Sequence, residues 1–293
     1  MKGSLNVEFR DLEIFQIVAE KGTITEAARE LNYVQSNITA RIRKLEDELK
    51  APLFNRHSRG MSLTPEGKKL LIYSKKILDL KREMRQAVQT DEEPSGKLEI
   101  GTIESVIHLP KILSSFVKRY KEVELSLFTG VTESLIEDVL DYKLDGAFIT
   151  ESEIPSELES YDVFEEELVL VSEPHITSLE QLIEQPVLCF SEGCGYRARL
   201  AEWYRDNNFL PKKIMEFGTL ETIIRSAVMG LGIAFVPKSQ VEQFEEEGVL
   251  QYHKLPEKYS KTKTVFIRRK DAFLTPTIEK FIETIEFKNK VLA

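Results

Sequence analysis

The chain has two cysteines in 293 residues, which excludes a disulfide scaffold. No apolar run approaches the roughly 18 residues that a membrane-spanning helix needs. The opening stretch MKGSLNVEFRDLE has no apolar signal-peptide core, so a cytoplasmic location and no membrane partner are expected. Four histidines, His57, His108, His175 and His253, are scattered without metal-ligand spacing. There is no Walker loop, no Gly-x-Gly-x-x-Gly after a strand and no Gly-x-Ser-x-Gly elbow. Gly230-Leu231-Gly232 before IAFVP reads as a turn between a helix and a strand, not a phosphate loop. The expectation is therefore no enzyme: no catalytic residue, no metal and no cofactor.

What is present is ordinary in bulk. At 42% hydrophobic and 30% charged, the composition is that of a globular protein, and the length allows several domains. The net charge of −9 argues against nucleic-acid binding only if it is spread evenly. It is not. Residues 1–93 hold 17 basic and 15 acidic side chains, a net of +2, while the other 200 hold 23 and 34, a net of −11. Within residues 33–60 six basic side chains face three acidic ones, and local charge is what meets phosphate. Glu165-Glu166-Glu167 and Glu245-Glu246-Glu247 read as solvated faces.

Residues 23–46, TITEAARELNYVQSNITARIRKLE, read as two short helices joined by a tight turn. Thr25 is the expected N-cap of the first, with Ala27, Ala28 and Leu31 on its inner face. The second, from about Val34, buries Ile38, Ile42 and Leu45 at i, i+4 and i+7. Its outer face then carries Gln35, Ser36, Thr39, Arg41 and Arg43, the donor types that reach base edges and phosphates in a major groove. That is a helix-turn-helix, and double-stranded DNA is the expected partner. A preceding helix over 8–20 supplies Leu12, Phe15, Ile17 and Val18 as core and ends at Gly22, suited to a left-handed cap. Around His57-Ser58-Arg59-Gly60 a small hairpin is expected, a wing presenting Arg56 and Arg59 to the DNA backbone or minor groove.

The run AARELNYVQSNITARIRKLEDELKAPLFNRHSRGMSLTPEG resembles the N-terminal domain of the LysR-type bacterial transcription regulators. The resemblance rests on the Ala-Ala pair, the Leu-Glu pair, Leu-Phe-x-Arg and Leu-Thr-Pro-x-Gly, all in register. One departure is Val34, where the family usually starts its recognition helix with Ser or Thr; a missing cap of this kind costs about 1 kcal/mol. Asn32 is the candidate substitute.

Residues 65–89 form a long helix opened by Pro65. Leu70, Tyr73, Ile77, Leu80, Met84 and Ala87 repeat at spacings of 3, 4, 3, 4 and 3, the seam of a two-stranded coiled coil. A homodimer through this helix fits readers of symmetric half-sites. Thr90 to Gly96 is a linker by composition. From Lys97 strands and helices alternate, which implies parallel sheets covered by helices. Two α/β halves joined by crossovers near Asp162–Glu166 and Lys261–Val265 resemble the periplasmic-binding-protein-like effector domain of the same family.

The expected class is thus an α+β multidomain protein. A winged helix-turn-helix covers 1–64, a dimerising linker helix 65–94, and a two-halved effector domain 95–293. Its first half takes about 95–161 and 266–293, its second about 162–265. By resemblance, dimers pair into tetramers, and a small-molecule effector binds the cleft and resets the spacing of the two DNA domains. A solute-binding protein would share the second domain but has no use for 1–64, and an enzyme would need a reactive set that is missing.

A ligand in such sheets lies beyond the carboxyl ends of strands, near helix N-termini. Thr102, Glu104 and Ser105 follow the first strand, Gly130 to Thr132 the second, while SEGCGYR leads into one helix and Gly218-Thr219 into another. The family resemblance carries effector contact to Ser105 and Thr132, and more loosely to Thr219. Arg197 adds a fixed positive charge, so a small anionic effector, a carboxylate, is expected. The competing reading makes the hydroxyls plain helix caps and pairs Arg197 with a local carboxylate. A redox alternative follows from family members that sense oxidants through cysteines in this domain. Cys189 sits in an apolar strand, and Cys194 is placed near a helix N-terminus, where a thiol pKa can fall.

Overall fold

The computed structural model describes residues 6–57, 60–88, 93–106 and 109–292, and the chain forms two compact units that divide between Asp91 and Glu92. In the first unit, α1 (Phe9–Lys21), α2 (Ile24–Glu30) and α3 (Gln35–Leu49) are followed by the hairpin β1 (Phe54–His57) and β2 (Gly60–Leu63), then α4 (Pro65–Val88). Leu12, Ile14, Phe15 and Val18 of α1 are buried against Ala27, Ala28, Ile38, Ile42 and Leu45. The sequence pattern places Ile17 in the core and omits Ile14. Ile17 is only half-buried at the core's edge, a shift of less than one turn on the same helix.

The caps differ in two places from expectation. Thr23, not Thr25, caps α2, its hydroxyl accepting from the Glu26 N–H; Thr25 is exposed inside the helix. The start of α3 at Val34 has no side-chain cap, and Asn32 does not replace one. Asn32 instead takes the left-handed φ of 55° that the turn requires, a conformation asparagine tolerates better than most residues.

The runs Leu53-Phe54-x-Arg56 and Leu63-Thr64-Pro65-x-Gly67 meet where the wing joins α4. A Cβ at Gly67 would lie 2.2 Å from the Leu53 carbonyl oxygen, so only glycine lets α4 pass over the chain leading into β1. Buried Thr64 locks the same junction: its hydroxyl donates to Pro52 O at 2.7 Å and accepts from Gly67 N–H at 2.9 Å. The Met61 N–H, in turn, donates to Gly22 O at 2.7 Å and fastens the wing to the α1–α2 turn.

α4 has two apolar faces. Leu70, Leu71 and Leu78 pack on the unit's core, Gln16 donates to Ser74 and Lys81 pairs with Glu13 at 2.8 Å. Tyr73, Ile77, Leu80 and Met84 are exposed. Leu70 of the expected seam therefore belongs to the core, and the side chain of Ala87 falls outside the described residues.

The second unit is built on one sheet, β4-β3-β5-β11-β6-β9-β7-β8, with β10 also on β6. Its first half holds β3 (Gly96–Thr102), α5 (Leu109–Arg119), β4 (Val123–Thr129), α6 (Thr132–Leu140) and β5 (Gly146–Thr150). The strand β6 (Leu158–Ser172) then crosses into the second half: α7 (Leu179–Ile183), β7 (Val187–Cys189), α8 (Gly195–Asp206), β8 (Ile214–Glu216), α9 (Leu220–Val228) and β9 (Ile233–Pro237). After α10 (Glu242–Glu246), β10 (Gln251–His253) and α11 (Glu257–Ser260), β11 (Lys261–Arg269) returns antiparallel to β6, and α12 (Pro276–Leu292) packs on the first half. β3, β4 and β5 are parallel, as the alternation implies. The first stretch of β6, the short helices α10 and α11, and β10 were not legible as elements. Phe116, Phe148, Phe266 and Phe281 form the centre of the first core, with ring centroids of neighbouring pairs 5.0–6.1 Å apart.

An acid–base clamp ties α1 to α3. Asp11 is 1% exposed and its Oδ1 accepts from Arg41 Nη1 at 2.7 Å, while Glu8 accepts from Arg41 at 2.9 Å and from Lys44 at 2.8 Å. These two cations hold the Glu8 carboxyl down to about 2. Removing Arg41 leaves Asp11 buried with Lys44 at 3.5 Å as its remaining cation. Arg41→Ala is expected to cost about 1–3 kcal/mol, below the full figure for a broken buried pair because Arg41 is partly solvated. Arg43→Ala, on the exposed side, should stay within about 0.5 kcal/mol of wild type. Urea unfolding of the two variants side by side checks this, and equal midpoints would remove the clamp.

Candidate nucleic-acid interface and ligand cavity

On α3 the exposed side chains include Gln35, Ser36, Asn37, Ala40 and Arg43. Thr39 is half-buried and its hydroxyl donates back to Gln35 O at 2.9 Å. Arg41 is expected on this face from its residue type; the clamp instead commits it inward to Asp11 and Glu8. Arg56 is exposed on β1, and Arg59 lies outside the described residues. Val34, with 68% of its surface exposed, sits at the leading end of α3 as an apolar side chain among the polar ones.

Between the halves of the second unit lies a cavity of about 330 Å³. Glu104 and Ser105 enter it from the end of β3, Thr129 and Gly130 from β4, Ser134 from α6, and Phe190, Ser191, Cys194 and Tyr196 from the approach to α8. α6 and α8 begin at its wall, as the carboxyl-end rule for α/β sheets expects. Gly195 is required here, because a Cβ would meet the Thr150 side chain at 2.6 Å. The halves touch across the cavity. Ser105 Oγ donates to Tyr196 Oη at 2.9 Å, Tyr196 Oη donates to Glu166 Oε2 at 2.8 Å, and Glu133 N–H donates to Gly193 O at 3.3 Å.

The sequence-expected ligand contacts divide. Glu104 and Ser105 line the cavity. Thr102 is buried and donates to Ile103 O at 2.9 Å. Thr132 is 3% exposed, and among the described residues its hydroxyl has no hydrogen-bond partner, while its neighbours Val131 and Ser134 line the cavity. Thr219 caps α9 through the Thr222 N–H. Arg197 is a correction. It donates to Glu216 at 2.6 Å and to Phe190 O at 3.1 Å, has Glu192 at 3.6 Å, and borders a different, apolar groove of about 420 Å³ with Leu200 and Tyr204. Its charge is spent locally, because Glu216 ends the edge strand next to it.

Cys194 is a second correction: burial pushes its thiol up, as it does that of Cys189, opposite to the fall expected near a helix start. Among the described residues no group of His, Cys, Asp and Glu is placed to hold a metal. Glu166 and Tyr196 are the residues that sequence reasoning missed. Burial raises Glu166 to about 6 against the lowering pull of the Tyr196 hydroxyl, and burial raises Tyr196 well above its ordinary value.

A chain that carries both a winged helix-turn-helix and a two-halved α/β unit with a central cleft has the build of a ligand-responsive DNA-binding regulator. Residues 9–68 match the bacterial regulatory helix-turn-helix protein model of the lysR family, and residues 91–288 match the LysR substrate binding domain. The chain belongs to the LysR family. It is similar to the HTH-type transcriptional regulator SoxR of Arthrobacter sp. (strain TE1826), 53% identical over 280 residues that span 96% of this chain and 97% of that protein. Its fold is that of a full-length OxyR variant from Pseudomonas aeruginosa, with a TM-score of 0.74 at 19% identity over 98% of this chain and 95% of that one. It is also that of full-length CbnR complexed with target DNA, with a TM-score of 0.65 at 21% identity over 96% and 99%. The protein is a DNA-binding transcriptional regulator with an effector-binding domain, not an enzyme. Among the described residues no helix is long and apolar enough to cross a membrane.

A raised acid pKa stabilises the fold below its unfolded value and loses that contribution as pH rises through the folded value. For Glu166 the window runs from about 4.5 to about 6. Glu166→Gln should therefore match wild type near pH 4.5 and gain on it above pH 6, by up to about 2 kcal/mol. Thermal unfolding across that range measures the difference, and a gap independent of pH would show that Glu166 ionises freely.

Proposed function

We propose that this regulator works in the cytoplasm as a homodimer joined through α4, with dimers pairing into tetramers, and is controlled by a small carboxylate in the cavity between the halves. The observation that carries the effector reading is that cavity, about 330 Å³, walled by hydroxyls from both halves and by the starts of two helices. Helix N-terminal amides and hydroxyls are sufficient donors for a carboxylate, so the reading does not need Arg197. A ligand that bridges Ser105 and Ser134 to Ser191 and Tyr196 favours one setting of the two halves. The difference in affinity between settings is what reaches the DNA-binding units.

On DNA, Gln35, Ser36 and Arg43 address base edges and phosphates, Thr25 and Thr39 flank them, and Arg56 and Arg59 reach the backbone from the wing. Val34 fits the methyl group of a thymine. Arg41 acts indirectly, by holding α3 in place. A gel-shift over a salt series, using DNA immediately upstream of the regulator's own gene, tests this. Arg43→Ala should weaken binding at every salt concentration and reduce the salt slope by about one. Absence of even non-specific binding at low salt would sink the reading.

The exposed stripe of Tyr73, Ile77, Leu80 and Met84 supports the dimer, since an apolar face of this kind needs a partner. Leu80→Asp places a charge in the middle of that seam. Sedimentation should find it shifted toward monomer, with half-site cooperativity lost; an unchanged dimer would move the interface elsewhere.

A further inference from the structure

Glu104 follows β3 in the first half, yet its Oε2 accepts from the Leu220 N–H at 2.7 Å, the first residue of nine-residue α9 in the second half. Its side chain borders two spaces. One is the cavity of about 330 Å³; the other, about 320 Å³, is bounded by α9 with Arg225 on it and by Gln240 and Phe244. Glu104 and Ser105 are the residues common to both walls. Ser105 is bonded to Tyr196 and Glu104 to Leu220, and of the two only Glu104 carries charge into the partition.

A carboxylate on the first amide of a helix is the arrangement an anionic ligand would itself adopt. Three helices, α6, α8 and α9, start around this cleft, and the protein's own carboxylate already holds the third. A ligand carboxylate at the α6 and α8 end meets the hydroxyls of Ser134 and Ser191, with the Glu133 N–H already given to Gly193 O, and at the other end it meets a fixed negative charge. Like charges held close in a partly desolvated cleft disfavour each other strongly.

We propose that Glu104 is a built-in competitor for the anion position at α9 and restricts the effector to a molecule with a carboxylate at one end only, no longer than the first cavity. This rests on the carboxylate reading above. Its two parts separate by substitution: Glu104→Gln removes the charge and keeps the wall, whereas Glu104→Ala also joins the two cavities.

The test is calorimetric titration of the full-length protein with matched probes, butanoate against succinate and hexanoate against adipate, with a cooperative unfolding transition required of each variant. Wild type should prefer each monocarboxylate over its dicarboxylate by about tenfold, and Glu104→Gln should erase that preference. Glu104→Ala should in addition bind adipate better than succinate. A preference unchanged in Glu104→Gln, or a wild type that takes both classes equally, overturns the role of Glu104 while leaving the carboxylate site standing. If no probe binds any of the three proteins, the carboxylate reading falls and this assignment with it.

Discussion

The second unit depends on one pair of antiparallel strands. β6 runs fifteen residues and β11 nine, and their shared ladder is the covalent and hydrogen-bonded link between the two halves. Each half keeps its own core, so the halves are held together at this pair and at the cleft. Within the ladder the register shifts at one place: Thr264 pairs with Phe164, Val265 with Asp162, and Val163 is the extra residue. A bulge bends a strand and increases its twist locally. Glu166, a short step along β6 from the bulge, carries the hydrogen bond from Tyr196. Bulge and cleft contact are thus adjacent along one strand.

In the DNA-binding unit the equivalent constraint is the close passage of α4 over Leu53, which Gly67 permits and Thr64 locks. That junction holds the wing, and the clamp of Asp11 with Arg41 holds α3 against α1. The clamp also explains the division of labour between two arginines two residues apart. A helix turns about 100° per residue, so Arg41 and Arg43 point roughly 200° apart, one toward Asp11 and one to solvent. Precise placement of Arg43 therefore depends on Arg41 having an internal partner.

Much of this was legible because it is local. Helical spacing identifies Ile38, Ile42 and Leu45 as the buried face of α3, and the βα alternation gives the order of the second unit. Misreadings arise where a side chain's partner is distant in sequence. Arg41 looks like a DNA contact because Asp11 is thirty residues away, and Arg197 looks available to a ligand because Glu216 lies in β8, nineteen residues on from its place in α8. Glu166 looks solvated because it stands between two other glutamates; the pleat of β6 exposes Glu165 and Glu167 and turns Glu166 toward Tyr196. Thr25 and Thr23 are two residues apart and chemically identical, so only backbone geometry distinguishes the cap.

The cleft also constrains how an effector can act. The halves already meet through Ser105 and Tyr196, Glu104 and Leu220, and Glu133 and Gly193. A ligand can bias the equilibrium only by the difference between the contacts it makes in each setting and the contacts it replaces. One that merely filled the space equally well in both settings would bind and signal nothing. One that takes the Tyr196 hydroxyl from Glu166 alters the group whose ionisation burial already disfavours, and it does so at the strand that both halves share. The contacts such a ligand would replace come from both halves, and they include carboxylates as well as neutral groups.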